Sequence, residues 1–196
     1  MTVRIAMWSG PRNISTAMMR AFENREDTVV VDEPLYGAYL LRTGIEHPGR
    51  EEIIASQPTD LDVAIAGLSE PLPESRSVHY TKHMAHHVPL DVDLAWTLGF
   101  HNVQLIRDPA QVVASYVRAR ESCESQDIGL PQQGRLMQLW DEHGLDVPVI
   151  DAGEFLRAPA PHLRWLCDWA GIPFSERMLS WPAGPRESDG VWAPYW

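Results

Sequence analysis

The sequence MWSGPRNIST, residues 7–16, constrains the fold of this chain more than any other stretch. The apolar residues just before it predict a short strand, a Gly-Pro pair ends that strand, and the spacing of Ile14, Met18 and Phe22 predicts one face of a helix. A loop between a strand and a helix points backbone N–H groups and the positive end of the helix dipole at one spot. The sequence therefore predicts an anion site beyond the carboxyl end of the first strand.

The side chains of this loop suit an oxyanion but not a nucleoside triphosphate with magnesium. Arg12 offers a forked donor set for phosphate or sulfate oxygens, and Ser15 and Thr16 add hydroxyls at the start of the helix. The triphosphate-binding P-loop would need Gly at position 15, Lys at 16 and Ser or Thr at 17, and the chain has Ser, Thr and Ala there. The alternative interpretation is an ordinary strand-to-helix turn with a solvated Arg12.

A β-branched run at residues 28–31 predicts a second, buried parallel strand that ends at Asp32-Glu33-Pro34. The carboxyl ends of neighbouring parallel strands share one crevice, so Glu33 is expected near the anion loop. A carboxylate beside an anion is unfavourable unless it handles a proton, which makes Glu33 a candidate general base. The alternative is a loop acid that caps the next segment.

Residues 77–81 predict a third strand, which ends at Lys82 and His83. His86 and His87 follow, and the cluster of histidines raises the question of a metal site. Pro89 limits any helix here and no cysteine is close, so no metal is expected; a ligand-binding or catalytic role for Lys82 and one histidine, or purely structural histidines, both stay open. Residues 90–98 predict a helix.

The stretch at residues 102–116 predicts a second anion-facing unit. A buried strand ends at Ile106, Asp108 is placed to cap a helix and Pro109 fits its first position. Arg107 then lies at a strand's carboxyl end, with Ser115 about two turns into the helix. Both can reach one anion.

Composition limits the partners of this chain. Its formal net charge of −11 disfavours nucleic acid and anionic membranes as general partners, so an anionic ligand needs a local basic site. No stretch approaches a membrane span and the start lacks a signal peptide, so a cytoplasmic protein without disulfides is expected. Residues 1–196 predict a single α/β domain, in which residues 35–76 form a helical lid or acceptor-side insertion. The sequence leaves the oligomeric state open.

These motifs resemble the sulfotransferase family that uses 3′-phosphoadenosine-5′-phosphosulfate (PAPS), in particular its bacterial branch of small sulfotransferase-like proteins. In that family, a loop after the first strand with Lys or Arg followed by Ser or Thr binds the 5′-phosphosulfate. Arg12, Asn13, Ser15 and Thr16 match this pattern. The resemblance implies a three-layer P-loop-type α/β fold with a central parallel sheet flanked by helices, and no metal requirement.

The resemblance extends to the rest of the site and to the last part of the chain. In the family, an Arg and a Ser eight residues after it bind the 3′-phosphate. Arg107 and Ser115 match this pair in residue type and spacing. The order strand, acidic turn, helix and Gly-x-Pro at residues 147–174 also resembles the family. Residues 35–76 have no clear counterpart.

The chain departs from the family in two places. Better-studied members carry Lys-x-His after the third strand, whereas Lys82 and His83 are adjacent here; other branches use a Glu after the second strand, which is Glu33. The resemblance therefore implies Glu33 as the base with His83 second, and Lys82 beside the transferring sulfuryl group. The Gly-rich C-terminal loop is matched only loosely at residues 184–192, and an incomplete C-terminus is left open.

The resulting hypothesis is transfer of a sulfuryl group from PAPS to a hydroxyl or amine of a small-molecule acceptor. The alternatives are a non-catalytic nucleotide or anion sensor of the same fold, a P-loop kinase or hydrolase, and a pyridoxal-phosphate enzyme with Lys82 as its Schiff-base residue, since Lys82 is the only lysine. The tryptophans are expected to pack in the core or the lid, and Trp8 and Trp192 are the candidates for stacking on adenine or the acceptor. The sequence does not identify the acceptor.

Overall fold

A computed structural model describes residues 2–118 and 123–195 of the chain. Its centre is a sheet of five parallel strands in the order β2-β3-β1-β4-β5. The strands are β1 (Val3–Ser9), β2 (Thr28–Asp32), β3 (Val78–Met84), β4 (His101–Ile106) and β5 (Val149–Asp151). The predicted α/β class with a central parallel sheet is confirmed.

Crossover connections join these parallel strands, and all of them contain α-helices except the one from β3 to β4, which has only 3₁₀ turns. They are α1 (Ser15–Glu23), α2 (Tyr36–Thr43), α3 (Arg50–Ser56), α4 (Leu61–Gly67), α5 (Pro109–Tyr116), α6 (Leu130–Glu142), α7 (Ala152–Arg157) and α8 (Pro159–Trp169). Short 3₁₀ turns at Ala85–His87, Ala95–Gly99, Glu176–Leu179 and Ala193–Tyr195 complete the described elements. Within residues 2–118 and 123–195, no helix combines the length and the apolarity that a bilayer crossing needs. The cytoplasmic location stays a prediction.

Each face of the sheet is covered by its own apolar cluster, which gives the three layers. On one face, α1 and α8 pack over alternate strand residues such as Met7, Tyr80 and Leu105. On the other, α4 and α6 pack over Ala6 and Trp8. Because side chains alternate along a strand, neighbouring residues of β1 and β3 serve opposite layers.

The segment expected to cover the acceptor side is helical in pieces, as predicted, and comprises α2, α3 and α4. Its last helix contributes Ala64 to the second core cluster, while Tyr36, Leu40, Ile53 and the distant Trp192 form a third, smaller cluster. Whether the segment acts as a lid stays a prediction. The terminal residue Trp196 lies outside the described residues.

Two predicted elements differ in the structure. The prediction of a helix at residues 90–98 is wrong, because only Ala95–Gly99 coils, as a 3₁₀ turn. The Asp93 side chain, just before this turn, accepts a hydrogen bond from the Ala95 amide. The third strand is longer than predicted and runs to Met84. Lys82 and His83 therefore lie inside β3, with their side chains on opposite faces of the sheet.

Candidate functional site

The candidate site lies along the carboxyl edge of the sheet. Parallel pairing sets Ser9, the last residue of β1, level with Met84 on one side and with Leu105 on the other. Asp32, at the end of β2, is level with Lys82. The loops that follow β1, β2 and β4 therefore leave the sheet at the same edge, where ligands of open α/β sheets bind.

The loop from β1 to α1 is held open by Asn13. Its side-chain amide donates to the carbonyl oxygen of Leu105 at 3.2 Å, and its side-chain oxygen accepts from the backbone amide of Ile14 at 2.8 Å. Asn13 is therefore occupied in shaping the loop, and Arg12 takes a left-handed backbone conformation with φ of 59°. A left-handed non-glycine residue is strained and is often found at functional sites.

The start of α1 has free donors. In the described part of the chain, the backbone amides of Ser15 and Thr16 donate to no backbone carbonyl, and the N-cap Ile14 supplies no side-chain acceptor. The first turn of a helix leaves such donors unpaired unless a cap or a ligand accepts them. The loop and helix therefore present an uncapped donor set, as the sequence predicts for an anion site.

Gly10 allows this loop to pack closely against the segment that precedes α6. A Cβ atom at position 10 would overlap the carbonyl oxygen of Ile128 and would lie 3.2 Å from the side-chain nitrogen of Gln133. Gln133 also pairs with Gln104 of β4 at 2.5 Å. The position of the loop thus depends on the absence of a side chain at residue 10.

Arg12, Arg107 and Ser115 meet at the edge between β1 and β4. Arg12 Nε donates to Ser115 Oγ at 2.9 Å, and Arg107 Nη1 donates to the carbonyl oxygen of Arg12 at 2.6 Å. Across residues 2–118 and 123–195, neither guanidinium forms an ion pair with a carboxylate. Two adjacent cations without a counter-ion, in a chain of net charge −11, favour an anionic ligand.

Helix α5 begins as the sequence predicts and thereby places Ser115. Asp108 accepts a hydrogen bond from the Ala110 amide at 2.8 Å, and Pro109 is the first helical residue. The side-chain oxygen of Gln111 lies 3.3 Å from Arg107 Nε and steadies the guanidinium. Ser115 lies on the turn of α5 that faces Arg12.

Glu33 and Lys82 form a buried ion pair one strand away from the anion loop. Lys82 Nζ lies 2.6 Å from Glu33 Oε1 and 2.7 Å from Asp32 Oδ1. The Lys82 and Glu33 residues are 3% and 7% exposed. Sequence reasoning did not identify Asp32 as a partner of Lys82, although the level register of β2 and β3 makes the contact direct.

Burial and charge act on this group in opposite directions. Burial raises the pKa of Glu33, and the Lys82 charge offsets only part of this effect. Burial by itself lowers the pKa of Lys82, but Glu33 and Asp32 raise it overall. Lys82 therefore stays an ammonium at neutral pH, and Glu33 is a stronger base than an exposed glutamate. Glu33 also has a left-handed backbone, with φ of 42°.

The structure does not bring His83 together with Glu33 and Lys82. The His83 ring stacks on Trp8 with ring centroids 4.2 Å apart, in the cluster on the opposite face of the sheet. Its Nε2 lies 2.8 Å from Thr81 Oγ1. Burial, with a smaller contribution from His79, lowers the pKa of His83 to about 3, so the ring is a weak base.

Trp8 packs in the core, the role expected of most tryptophans in this chain, and is not available for stacking on a ligand. Its side chain is 0% exposed, and its indole N–H donates to Asn102 at 3.0 Å. Trp192 is buried at 3% exposure and packs edge-on against Tyr36. Both side chains serve the packing of the fold.

No cluster of three or more histidine, cysteine, aspartate or glutamate side chains suited to a metal ion occurs in residues 2–118 and 123–195. The histidines of β3 and the following turn do not converge on one point, although the rings of His86 and His87 contact each other with centroids 4.4 Å apart. His83 faces the second core cluster, whereas His86 and His87 contact Tyr39 at the end of the same strand.

A family model described as a sulfotransferase domain matches residues 3–196. The chain belongs to the sulfotransferase domain family. The solved structures that resemble it agree with this fold: the sulfotransferase domain from the curacin biosynthetic pathway has a TM-score of 0.60 at 14% identity, covering 97% of this chain and 81% of that domain. Mouse sulfotransferase SULT7A1 complexed with PAP has a TM-score of 0.55 at 13% identity, covering 90% of this chain and 62% of that one.

Two curated relatives carry a different name. They are branched-chain-amino-acid aminotransferase-like proteins 2 and 1 of Arabidopsis thaliana. Their sequence identities to this chain are 33% and 35%, over alignments that cover 98% of it. The sulfotransferase domain corresponds to 34% of the length of each of these relatives, so it spans about a third of them.

Proposed function

We propose that this sulfotransferase domain transfers a sulfuryl group from PAPS to a hydroxyl or amine of a small-molecule acceptor. The observation that carries the proposal is the pair of arginines beside an uncapped helix start: the Arg107 guanidinium donates to the Arg12 carbonyl, the Arg12 guanidinium donates to Ser115, and neither has a carboxylate partner among the described residues. Arginine with free backbone amides is a donor set for phosphate and sulfate oxygens.

The donor is held through its two phosphate ends in this proposal. Arg12 binds the bridging and leaving oxygens, Ser15 and Thr16 with the loop amides bind the 5′-phosphate, and Arg107 with Ser115 binds the 3′-phosphate. Arg12 and Ser115 contact each other in this structure, so the bisphosphate replaces their mutual hydrogen bond and takes over the role of the Arg12 carbonyl as acceptor for Arg107. In this proposal, the Ser115 hydroxyl and the Arg12 carbonyl oxygen accept the hydrogen bonds that phosphate oxygens accept when the nucleotide is bound.

Glu33 is the proposed base. In the transfer, the acceptor oxygen or nitrogen forms a bond to sulfur, the bond from sulfur to the 5′-phosphate oxygen breaks, and the acceptor proton moves to Glu33. Burial raises the pKa of Glu33 toward the working range of a general base, while His83 faces the opposite layer and its pKa is about 3. Lys82 remains charged, orients Glu33 and supports the negative sulfuryl oxygens.

The other interpretations lack comparable support. A P-loop kinase needs a lysine in the phosphate loop, and the single lysine of this chain lies in β3. A Schiff base on Lys82 needs a neutral amine, whereas two carboxylates hold its pKa above the ordinary value despite burial. A binding protein without turnover remains as an outcome of the experiment.

The test is turnover of PAPS in a buffer that contains a chelator, with a panel of phenol, alcohol and amine acceptors, for the native chain and the E33Q variant. The proposal expects sulfated product from at least one acceptor class, and loss of product with Glu33→Gln while 3′,5′-adenosine bisphosphate still binds. Nucleotide binding without any product across the panel favours the non-catalytic sensor. Absence of nucleotide binding contradicts the proposal.

A further inference from the structure

The carboxyl group of Glu33 has a second neighbour that the proposed chemistry does not yet use. One oxygen, Oε1, is bound by Lys82, and the other, Oε2, lies 4.0 Å from His87 Nδ1. That nitrogen is buried and has no hydrogen-bond partner among the described residues. A buried nitrogen without a partner costs free energy, so its direction toward a carboxylate requires an explanation.

Aromatic packing fixes the plane of the His87 ring. The ring stacks on Tyr36, with centroids 4.4 Å apart at 10°, and also packs against Tyr39, with centroids 4.7 Å apart at 28°. The two tyrosine rings are themselves 6.4 Å apart, so they flank His87 on two adjacent sides and do not enclose it. His87 is 3% exposed. Rotation of the ring away from Glu33 disrupts both aromatic contacts, whereas a movement of about 1 Å brings Nδ1 within hydrogen-bonding distance of Oε2.

The ring is neutral at neutral pH. Burial and the positive charge of its neighbours hold the pKa of His87 well below its usual range. A neutral imidazole carries one N–H, and its position follows the acceptor that each nitrogen faces. Because Nδ1 faces a carboxylate, the tautomer with a proton on Nδ1 is favoured. The charged or titratable groups around the ring are Glu33, Lys82, His47, His83, His86 and the two packed tyrosines, Tyr36 and Tyr39.

We propose that His87 is a positioning residue for Glu33, whose Nδ1–H donates a hydrogen bond to Oε2 when the substrates are bound. The inference rests on the proposed role of Glu33 as base. The present separation is about 1 Å longer than a hydrogen bond, and contacts of catalytic groups commonly tighten only in the substrate complex. Held by Lys82 on one oxygen and by His87 on the other, the carboxylate keeps one orientation toward the acceptor.

Three substitutions separate hydrogen bonding from packing. His87→Phe keeps an aromatic ring against the two tyrosines but removes the nitrogen, His87→Asn keeps an amide donor near the position of Nδ1 but removes the ring, and His87→Leu removes both. His86→Phe is the matched control, since His86 is an adjacent, partly buried histidine that packs edge-on against Tyr39 and against the His87 ring. Thermal unfolding reports which variants fold.

The primary measurement is the Glu33 pKa, obtained by carbon NMR of carboxyl-labelled glutamate in protein with 3′,5′-adenosine bisphosphate bound; E33Q assigns the signal. We expect H87F and H87L to raise this pKa by about 0.5 to 1 unit, the effect of losing one hydrogen bond to the charged form. H87N should restore the native value. H86F should leave it unchanged.

The second measurement is the pH profile of PAPS turnover with water as acceptor. H87F and H87L should move the acidic limb of the profile to higher pH. At pH values below the limb, kcat should fall by roughly 3- to 10-fold, in line with the pKa change, while KM for PAPS stays unchanged. A native pKa and profile in H87F overturn the inference, as does an equal change in H86F. If H87F does not fold, the comparison of H87N with H87L decides, and equal values for the two overturn it.

Failure of the inference and failure of the proposed function give different results. If E33Q turns PAPS over as fast as the native chain, Glu33 is not the base and the proposed function is wrong in that step. If E33Q is inactive while the His87 variants keep native pKa values and rates, only the positioning role is wrong.

Discussion

Replacement of Arg107 by alanine tests how the donor is held. Arg107 directly follows β4 at the carboxyl end of the sheet. Its side chain contacts the Arg12 carbonyl at 2.6 Å and Gln111 at 3.3 Å, so the substitution removes no core packing. A charge-assisted hydrogen bond to phosphate contributes about 1.5–3 kcal/mol. Since about 1.4 kcal/mol corresponds to tenfold in Kd, R107A should weaken binding of 3′,5′-adenosine bisphosphate by roughly 10- to 100-fold.

The assay is titration calorimetry with two nucleotides, 3′,5′-adenosine bisphosphate and adenosine 5′-monophosphate, in the presence of a chelator. Because Arg107 is assigned to the 3′-phosphate, R107A should weaken binding of the monophosphate by less than about threefold, whereas Arg12→Ala should weaken both. The matched control is Arg157→Ala, whose side chain is 70% exposed and pairs with Glu154 on α7. Equal losses for the two nucleotides in R107A, or no loss for either, refute the assignment.

Three further predictions follow from the same contacts. Burial raises the pKa of Glu33 above its ordinary value of 4.5. The acidic limb of kcat/KM should therefore lie above pH 4.5, and activity should fall as the pH drops through it. Glu33→Gln should abolish this limb and lower kcat by about 10²- to 10⁴-fold. Lys82→Met should reduce the free energy of unfolding by about 3–5 kcal/mol at neutral pH because it leaves Asp32 and Glu33 without a counter-ion. Urea titrations should show the deficit shrinking toward acidic pH as Glu33 takes up a proton; an unchanged midpoint contradicts this. Gly10→Ala should lower stability by about 1–3 kcal/mol because its methyl group meets a backbone carbonyl, whereas Gly134→Ala, with open space in α6, should be neutral or stabilising by up to about 1 kcal/mol in the same melts.

The local features of the two anion-facing units could be predicted from sequence because each is encoded within a few neighbouring residues. The Asp108 cap and Pro109 at the start of α5 are short-range signals, and the structure has both. The Gly-Pro break after β1 is another, and parallel strands separated by helices require their carboxyl ends to meet at one edge. The convergence of Arg12 with Arg107 follows from these rules and from the adjacency of β1 and β4.

Long-range pairing was beyond sequence reasoning. The strand order puts β3 between β2 and β1, and only this order places Lys82 level with Asp32. The sequence predicts His83 next to Lys82 in the site, at the end of β3. Because β3 continues to Met84, consecutive side chains alternate between faces, and His83 lies on the face opposite to Lys82. The stacking of His83 on Trp8 depends on the same register, which no local pattern encodes.

A crystal structure of the chain with 3′,5′-adenosine bisphosphate tests the central claim most directly. The account predicts the 3′-phosphate within hydrogen-bonding distance of Arg107 and Ser115, the 5′-phosphate on the amides at the start of α1, and the Arg12–Ser115 hydrogen bond broken. A nucleotide bound away from the β1–α1 loop, or one that leaves both arginines in their present contacts, would contradict it.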